Sequence, residues 1–187
     1  VLSIVRHART EANAAGRLQG RLDLPLDDVG RQQAALLTKV VLGADRVVCS
    51  PLLRARQTAE VFGLEPTIDE RWMEVHYGDL EGCPIVDVPR ETWRRMLTEP
   101  RFSPPGGESL EVMSERIIAA LGDLVEEARS RHVVVVTHAT PVKAAMAWAL
   151  GASLDTVWRS HVDQASVTRI IIRERGPVLS VFNLVPY

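Results

Sequence analysis

The chain has 187 residues, of which 46% are hydrophobic and 25% charged, and its formal net charge is −2. That balance excludes a global basic field for nucleic acid or anionic membrane, and no apolar run approaches the roughly 20 residues that span a bilayer. Two cysteines make no disulfide framework, and no signal-peptide pattern opens the chain, so one cytoplasmic domain over residues 1–187 is expected.

Val1 stands where an initiator Met would, which reads as the loss of a few leading residues. The run Val1-Leu2-Ser3-Ile4-Val5 is rich in β-branched residues and barely alternates, the pattern of a strand buried on both faces. It delivers Arg6-His7 to the carboxyl edge, where α/β proteins gather ligands. A planar guanidinium suits phosphate or carboxylate, and a neutral imidazole serves as nucleophile or base. Residues 13–26, with Gly16, Gly20 and Pro25, read as a loop longer than most connections. Asp27 or Asp28 then caps a helix carrying Val29, Ala34, Leu36, Leu37 and Val40, closed by Gly43. Arg46-Val47-Val48-Cys49 reads as a second buried strand. After it Ser50 is expected as N-cap and Pro51 as the first residue of a helix reaching Phe62. Arg54 and Thr58 fall off that helix's apolar stripe of Leu52, Ala55, Ala59 and Phe62.

Residues 66–68 read as a third strand and 71–77 as extended chain. The stretch 81–105 is broken by Pro84, Pro89, Pro100, Pro104 and Pro105, with a helix expected at 91–97. Ser109 caps a long helix whose apolar set (Leu110, Met113, Ile117, Ala120, Leu121, Leu124, Ala128) follows the 3.6-residue period. The run 132–137 is the clearest buried strand; it ends in His138, before a helix starting near Pro141 and closing at Gly151. Strands 166–173 and 178–184, joined through Gly176-Pro177, read as an antiparallel hairpin. Strands alternate with helices until that hairpin. This predicts an α/β fold of three layers: a mainly parallel central sheet, helices on both faces, and antiparallel strands near the C-terminus.

Parallel neighbours place their carboxyl ends on one edge, so Arg6-His7, Ser50 with Arg54, and His138 can converge. Helix N-termini near Pro51 and Pro141 would add free N–H groups to the same region. Two arginines, two histidines and such termini make a pocket for a compact dianion such as a phosphoryl group. Taken singly, Arg54 reads as a solvated helix charge and His138 as a hydrogen-bonded core histidine; their joint position points to a site. His76 and His161 read as scaffold or rim residues, and His132 as the opening of a strand. Trp72, Trp93, Trp148 and Trp158 are expected in packing, Trp93 with the option of lining a mouth.

These residues also carry a resemblance. Arg6-His7-Ala8-Arg9-Thr10-Glu11-Ala12-Asn13 resembles the Arg-His-Gly signature of the histidine phosphatase superfamily, the phosphoglycerate-mutase-like enzymes. Gln19-Gly20, Pro25-Leu26 and Gly30 with Gln33-Ala34 match the segment that follows it. Ser50-Pro51-Leu52-Leu53-Arg54-Ala55-Arg56-Gln57-Thr58-Ala59 is similar to a second block, and Glu74-Val75-His76-Tyr77-Gly78 with Leu80-Glu81-Gly82 to the block carrying the acid. Pro105-Gly106-Gly107-Glu108-Ser109 and Thr137-His138-Ala139 complete the set, in the family's order over nearly the whole chain.

The resemblance implies a phosphomonoester hydrolase with His7 as a nucleophile that becomes phosphohistidine and Glu74 as general acid and then base. Arg6, Arg54 and His138 would hold the phosphoryl oxygens, with Asn13 and Ala139 as further binding positions and Arg9, Gln19 and Gly20 as rim positions. It implies a small phosphomonoester substrate, no cofactor and no metal; a cage of cationic donors suffices for phosphoryl transfer. The arginines are expected to depress the His7 pKa.

Two departures stand out. Ala8 replaces the usual glycine, so its Cβ is expected close to the bound phosphate. Arg9 stands where an acidic residue is common. It either reads a second anionic group at the rim or pairs with Glu11 or a loop carboxylate. Phosphoglycerate mutase chemistry is the nearest alternative, and the short segment between the Glu74 block and Gly106-Gly107 favours hydrolysis over it. A silent phospho-ligand binding module would need no acid at Glu74. A metal site of His7, His138 and Glu74 is opposed by Arg6 and Arg54 and lacks zinc spacing. The physiological substrate and oligomeric state are left open, with selectivity expected in 81–105 and around His161.

Overall fold

The computed structural model describes residues 1–187. Its strands are β1 (Leu2–Arg6), β2 (Arg46–Cys49), β3 (Thr67–Ile68), β4 (Val133–Thr137), β5 (Val167–Arg173) and β6 (Gly176–Leu184). They form one sheet in the order β3-β2-β4-β1-β5-β6. The first four are mutually parallel, whereas β5 runs antiparallel to both β1 and β6. The mixed sheet with its antiparallel C-terminal pair is the expected one.

The helices are α1 (Glu11–Ala14), α2 (Asp28–Leu36), α3 (Leu53–Ala59), α4 (Arg90–Thr98), α5 (Leu110–Val125) and α6 (Ala139–Leu150). Alternate residues of each central strand feed opposite cores, as the two-residue side-chain period demands. Leu2, Ile4, Val133 and Val135 meet α5, α6 and Trp72 on one face. Val5, Val47, Cys49, Val134 and Val136 meet α2 and α3 on the other. The four valines of β4 are wholly buried, each stabilising the sheet by about 1.5–3 kcal/mol relative to exposure. No helix is long and apolar enough to cross a membrane.

Four expectations shift. The stretch read as loop from residue 13 contains the end of α1, whose N-cap Thr10 forms a capping box with Asn13; one helical turn is too short to display a period. Helix α3 begins at Leu53 with extended Leu52 (ψ 135°) as its N-cap, not at Pro51; the Ser50 hydroxyl lies 2.8 Å from His138 Nε2 and accepts a long bond from Leu52 N–H (3.4 Å). Helix α6 begins at Ala139, with His138 as N-cap. Pro141 therefore sits inside the first turn, where its missing N–H costs nothing. Residues Glu70–Trp72 form a tight helical turn capped by Asp69 rather than extended chain. The helices expected to carry Val40, to reach Phe62 and to include Ala128 end as α-helix at Leu36, Ala59 and Val125, and 3-10 turns (Leu37–Lys39, Glu60–Phe62, Glu127–Arg129) continue each of them. Gly176 belongs to β6, leaving Glu174 and Arg175 as the hairpin turn.

Candidate active site

The three adjacent strands β2, β4 and β1 end together. His7 N–H donates to the Thr137 carbonyl (2.8 Å) and Ser50 N–H to that of Val136 (3.0 Å), so His7, Ser50 and His138 leave the sheet at one edge. A cavity of about 190 Å³ opens there. Its lining includes Arg6, His7, Asn13, Arg54, Glu74 and Ala139.

The chemistry of His7 is set by two hydrogen bonds. Its Nδ1 lies 2.7 Å from the Ala8 carbonyl, which can only accept, so Nδ1 carries a proton. Arg54 Nε donates to Nε2 at 3.2 Å, so Nε2 offers a lone pair. Together they assign the neutral tautomer with Nε2 as the unprotonated nitrogen. Burial, followed by the charges of Arg54 and Arg6, holds the His7 pKa well below the ordinary imidazole range, against a smaller raising effect of the Ala8 bond. The expected depression is present, with burial as its first cause.

Arg54 is 1% exposed. Its Nη1 and Nη2 donate to the carbonyls of Leu22 and Gly20, both at 2.7 Å, which aims Nε at His7. Burial lowers its pKa to about 10, so it remains cationic at neutral pH. Gly20 thus serves the site through its carbonyl. Its φ of +52° calls for glycine, and a Cβ there would displace the Glu81 carboxylate. Arg6 gives Nη1 to the Val162 carbonyl (2.5 Å) and keeps a buried Nε without a partner.

His138 is fully buried, its ring 5.1 Å from that of His7. Its Nε2 lies 2.8 Å from Ser50 Oγ, and its Nδ1 has no partner. Burial first, then Arg54, His7 and Arg6, keep it uncharged. Glu74 is 8% exposed. Its Oε1 accepts from Val75 N–H (2.9 Å), and both oxygens lie within reach of Thr140 N–H (3.3 and 3.4 Å), the second residue of α6. The N-terminus of α6 therefore opens on the site as expected. That of α3 does not: Leu53 N–H donates to Asp23 Oδ1 (2.5 Å).

Asn13 presents its amide in a fixed sense. Asn13 Oδ1 accepts from Thr10 N–H (3.1 Å), a partner that can only donate, which leaves the Asn13 NH2 as a donor in the cavity wall, while the Gln19 amide lies 2.9 Å from Thr10 Oγ1. One other expectation is corrected, at Ala8, and one alternative is decided, at Arg9. The Ala8 methyl packs in the second core with Val5, Ala34 and Ala55 and does not line the cavity, while its N–H donates to Thr58 Oγ1 (3.1 Å). Arg9 also lies outside the lining, with Nε donating to Asp27 Oδ2 at 2.8 Å; of its two readings the structure holds the loop-carboxylate pair.

Arg17, Tyr77, Thr140 and Lys143, which no sequence signal marks, also line the wall, and so does Trp158, expected in packing. Burial, with Glu74 nearby, pushes the Tyr77 phenol up, so it stays neutral. Trp93 lines the cavity, one of its two expected placements. Behind Glu74, Arg116 donates to the carbonyls of Arg71 (2.6 Å), Met73 (2.7 Å) and Glu74 (3.0 Å) and pairs with Glu108 at 2.5 Å. No three His, Cys, Asp or Glu side chains cluster at metal-binding distance.

An unprotonated imidazole ringed by fixed cationic donors at a parallel-sheet edge fits a tetrahedral dianion, the group handled by phosphoryl-transfer enzymes. The chain belongs to the histidine phosphatase superfamily (branch 1), whose family model matches residues 2–185. It is 36% identical over 197 residues to phosphoserine phosphatase 1 of Hydrogenobacter thermophilus, covering 98% of this chain and 92% of that protein. It is 32% identical to a probable phosphoglycerate mutase of Salmonella paratyphi C, over 91% of this chain and 84% of that one. Among solved structures it is similar to a mycobacterial glucosyl-3-phosphoglycerate phosphatase in complex with VO3, with TM-score 0.88, 28% identity and 98% of each chain covered.

Proposed function

We propose that this chain is a phosphomonoester hydrolase that works through a phosphohistidine on His7. The observation that carries the reading is the pair of bonds that protonate Nδ1 and leave Nε2 facing Arg54. Nε2 attacks phosphorus as the P–O ester bond breaks, and the leaving oxygen takes a proton from the Glu74 carboxyl. Water then attacks phospho-His7 and gives its proton to the Glu74 carboxylate. The P–N bond breaks, inorganic phosphate departs, and the starting tautomer returns. Both proton transfers need one group on the same side of the cavity, and Glu74 is the one carboxylate in its wall.

Arg6 and Arg54 neutralise the phosphoryl oxygens in a largely dissociative transition state, with the Asn13 NH2 as an uncharged donor, and positioned charge supplies most of the catalysis. An oxygen on phospho-His7 satisfies the buried Nδ1 of His138, a group whose lack of a partner in the free protein calls for explanation. The N–H of Ala139, at the first turn of α6, has no helical acceptor and adds a further donor. The 36% identity to a phosphatase supports hydrolysis as the outcome. The relative named as a probable mutase keeps transfer as the competing outcome.

The test is steady-state hydrolysis of an activated aryl phosphate in the presence of chelator. Turnover that persists with chelator and is abolished in His7→Ala is the expected result. Activity lost to chelator and restored by a divalent cation contradicts the mechanism. A second arm supplies 3-phosphoglycerate: inorganic phosphate as product supports hydrolysis, and the 2-phospho isomer supports a mutase.

A further inference from the structure

His138 Nδ1 is buried without a partner, and its use to a phosphoryl oxygen depends on where the ring carries its proton. A protonated Nδ1 is a donor, whereas an Nδ1 lone pair would face the anion with negative density. In a neutral imidazole the hydrogen bond at the other nitrogen decides between them. For His138 that bond is to Ser50, whose Oγ stands 2.8 Å from Nε2.

A hydroxyl has one hydrogen and two lone pairs, so the sense of the bond follows from its other partners. Ser50 Oγ has one, the Leu52 N–H at 3.4 Å, which can only donate. No carbonyl or carboxylate accepts from Oγ, and Ser50 and His138 are both fully buried. With the proton on Nε2, Oγ would accept twice, and two buried groups would be stranded: the Ser50 hydrogen and the Nδ1 lone pair. With Oγ donating to Nε2, only the Nδ1–H lacks a partner, and a bound phosphoryl oxygen supplies it. Buried polar groups are paired wherever the fold allows, which selects the second arrangement. The backbone holds both residues for it. Ser50 N–H donates to the Val136 carbonyl (3.0 Å) at the end of β2, and His138 is the N-cap of α6.

We propose that Ser50 is a positioning residue that holds the His138 proton on Nδ1, so that a neutral His138 donates to the phosphoryl group. The proposal rests on the phosphohistidine reading of the same site and deepens it. His7 and His138, with ring centroids 5.1 Å apart, then share one tautomer and use opposite ends of it. His7 attacks through the Nε2 lone pair, and His138 donates through Nδ1–H. Burial and the neighbouring arginines oppose a second proton on either ring, so the donor is fixed by Ser50 and not by ionisation.

The experiment reads the tautomer directly. Long-range 1H–15N correlation at about pH 8, where histidines are neutral, separates protonated from unprotonated ring nitrogens; the His138 signals are those missing from His138→Gln. The wild type is expected to show His138 protonated at Nδ1. In Ser50→Ala the proton should move largely to Nε2, the form an unpartnered imidazole prefers. The same variant should lower kcat/KM for an activated aryl phosphate about 10–100-fold, less than loss of a whole donor because the minor tautomer still serves. In a His138→Gln background Ser50→Ala should change kcat/KM by less than about twofold, since its effect passes through that ring. A wild-type His138 protonated at Nε2, or at both nitrogens in exchange, overturns the proposal even if Ser50→Ala fails to fold. Equal losses from Ser50→Ala with and without His138 also overturn it and confine Ser50 to the fold. Turnover that does not depend on His7, in a wild type with Nδ1 protonated, overturns the phosphohistidine reading while the Ser50–His138 tautomer stands.

Discussion

Arg54 Nε stands 3.2 Å from His7 Nε2, and the contact defines both side chains. The guanidinium marks where negative charge will sit and keeps Nε2 from holding a proton. Carbonyls of Gly20 and Leu22 fix the other two guanidinium nitrogens, so the donor is preorganised and need not be gathered when substrate arrives. Arg54→Lys keeps the charge but cannot reach three acceptors; kcat/KM for an aryl phosphate is expected to fall about 10²–10³-fold. Arg54→Met strands both carbonyls and is expected to lower stability by about 2–4 kcal/mol in urea unfolding. A fall of less than tenfold in Arg54→Lys would remove Arg54 from transition-state stabilisation.

Arg116 acts at one remove. It binds three carbonyls of the segment carrying Glu74 without touching the carboxylate. Burial pushes Glu108 up, but the Arg116 hydrogen bond and charge, helped by Arg21, hold it below the ordinary carboxylate range. Arg116→Met leaves Glu108 without its principal partner and is expected to cost about 3–5 kcal/mol. The positioning role is read separately, from Arg116→Lys. If the clamp aims Glu74, this variant loses about tenfold more activity on alkyl than on aryl phosphates, whose leaving oxygens need little protonation. Equal losses on both would confine Arg116 to stability.

Arg9 is paired with Asp27 at a partly exposed site, with side-chain exposures of 35% and 20%. Arg9→Leu is expected to cost no more than about 1 kcal/mol. It should leave the ratio of rates on carboxylated and neutral phosphomonoesters within twofold. A selective fall of several-fold on the carboxylated ester would return Arg9 to the rim.

Stability should decline on mild acidification. His7 and His138 are held neutral by burial first and by the arginines next, so their folded pKa values lie below the unfolded value near 6.5. Below that pH the unfolded chain binds more protons than the folded one. Stability is fully present above about pH 6.5, and each histidine removes up to about 1.4 kcal/mol per pH unit as pH falls from there toward its folded pKa. His138→Gln should flatten the pH dependence of the urea midpoint between pH 6.5 and 5. An unchanged slope in that variant would show that His138 charges in the folded state.

Legibility in the sequence followed the length and purity of each signal. The valines of β4 and the seven-residue apolar set of α5 could hardly read otherwise, and Asp27 and Ser109 cap as expected. Helix α1 was hidden because four residues carry no period. The start of α3 differs because Ser50-Pro51 is a good N-cap pair by type, while Leu52 is extended in the fold and becomes the cap itself. His7, Arg54, Glu74 and His138 were legible through residue chemistry at strand ends and through the family blocks. Lys143 was not. It sits among Val142, Ala144, Ala145 and Met146, all buried, and nothing in that run marks one position as facing a cavity. The Arg116 clamp reaches carbonyls 42 to 45 residues away, a relationship no local pattern encodes.

The most direct test of a phosphohistidine at His7 is rapid-quench trapping in Glu74→Gln with an activated aryl phosphate. Without the base that activates water, the phosphoenzyme should accumulate, seen as a burst of aryl alcohol close to one per active site. The quenched protein should carry one acid-labile, base-stable phosphoryl group, mapped by peptide mass spectrometry to His7 and absent from Glu74→Gln/His7→Ala. A burst with the label on another residue, or steady turnover that never passes through a labelled protein, would contradict it.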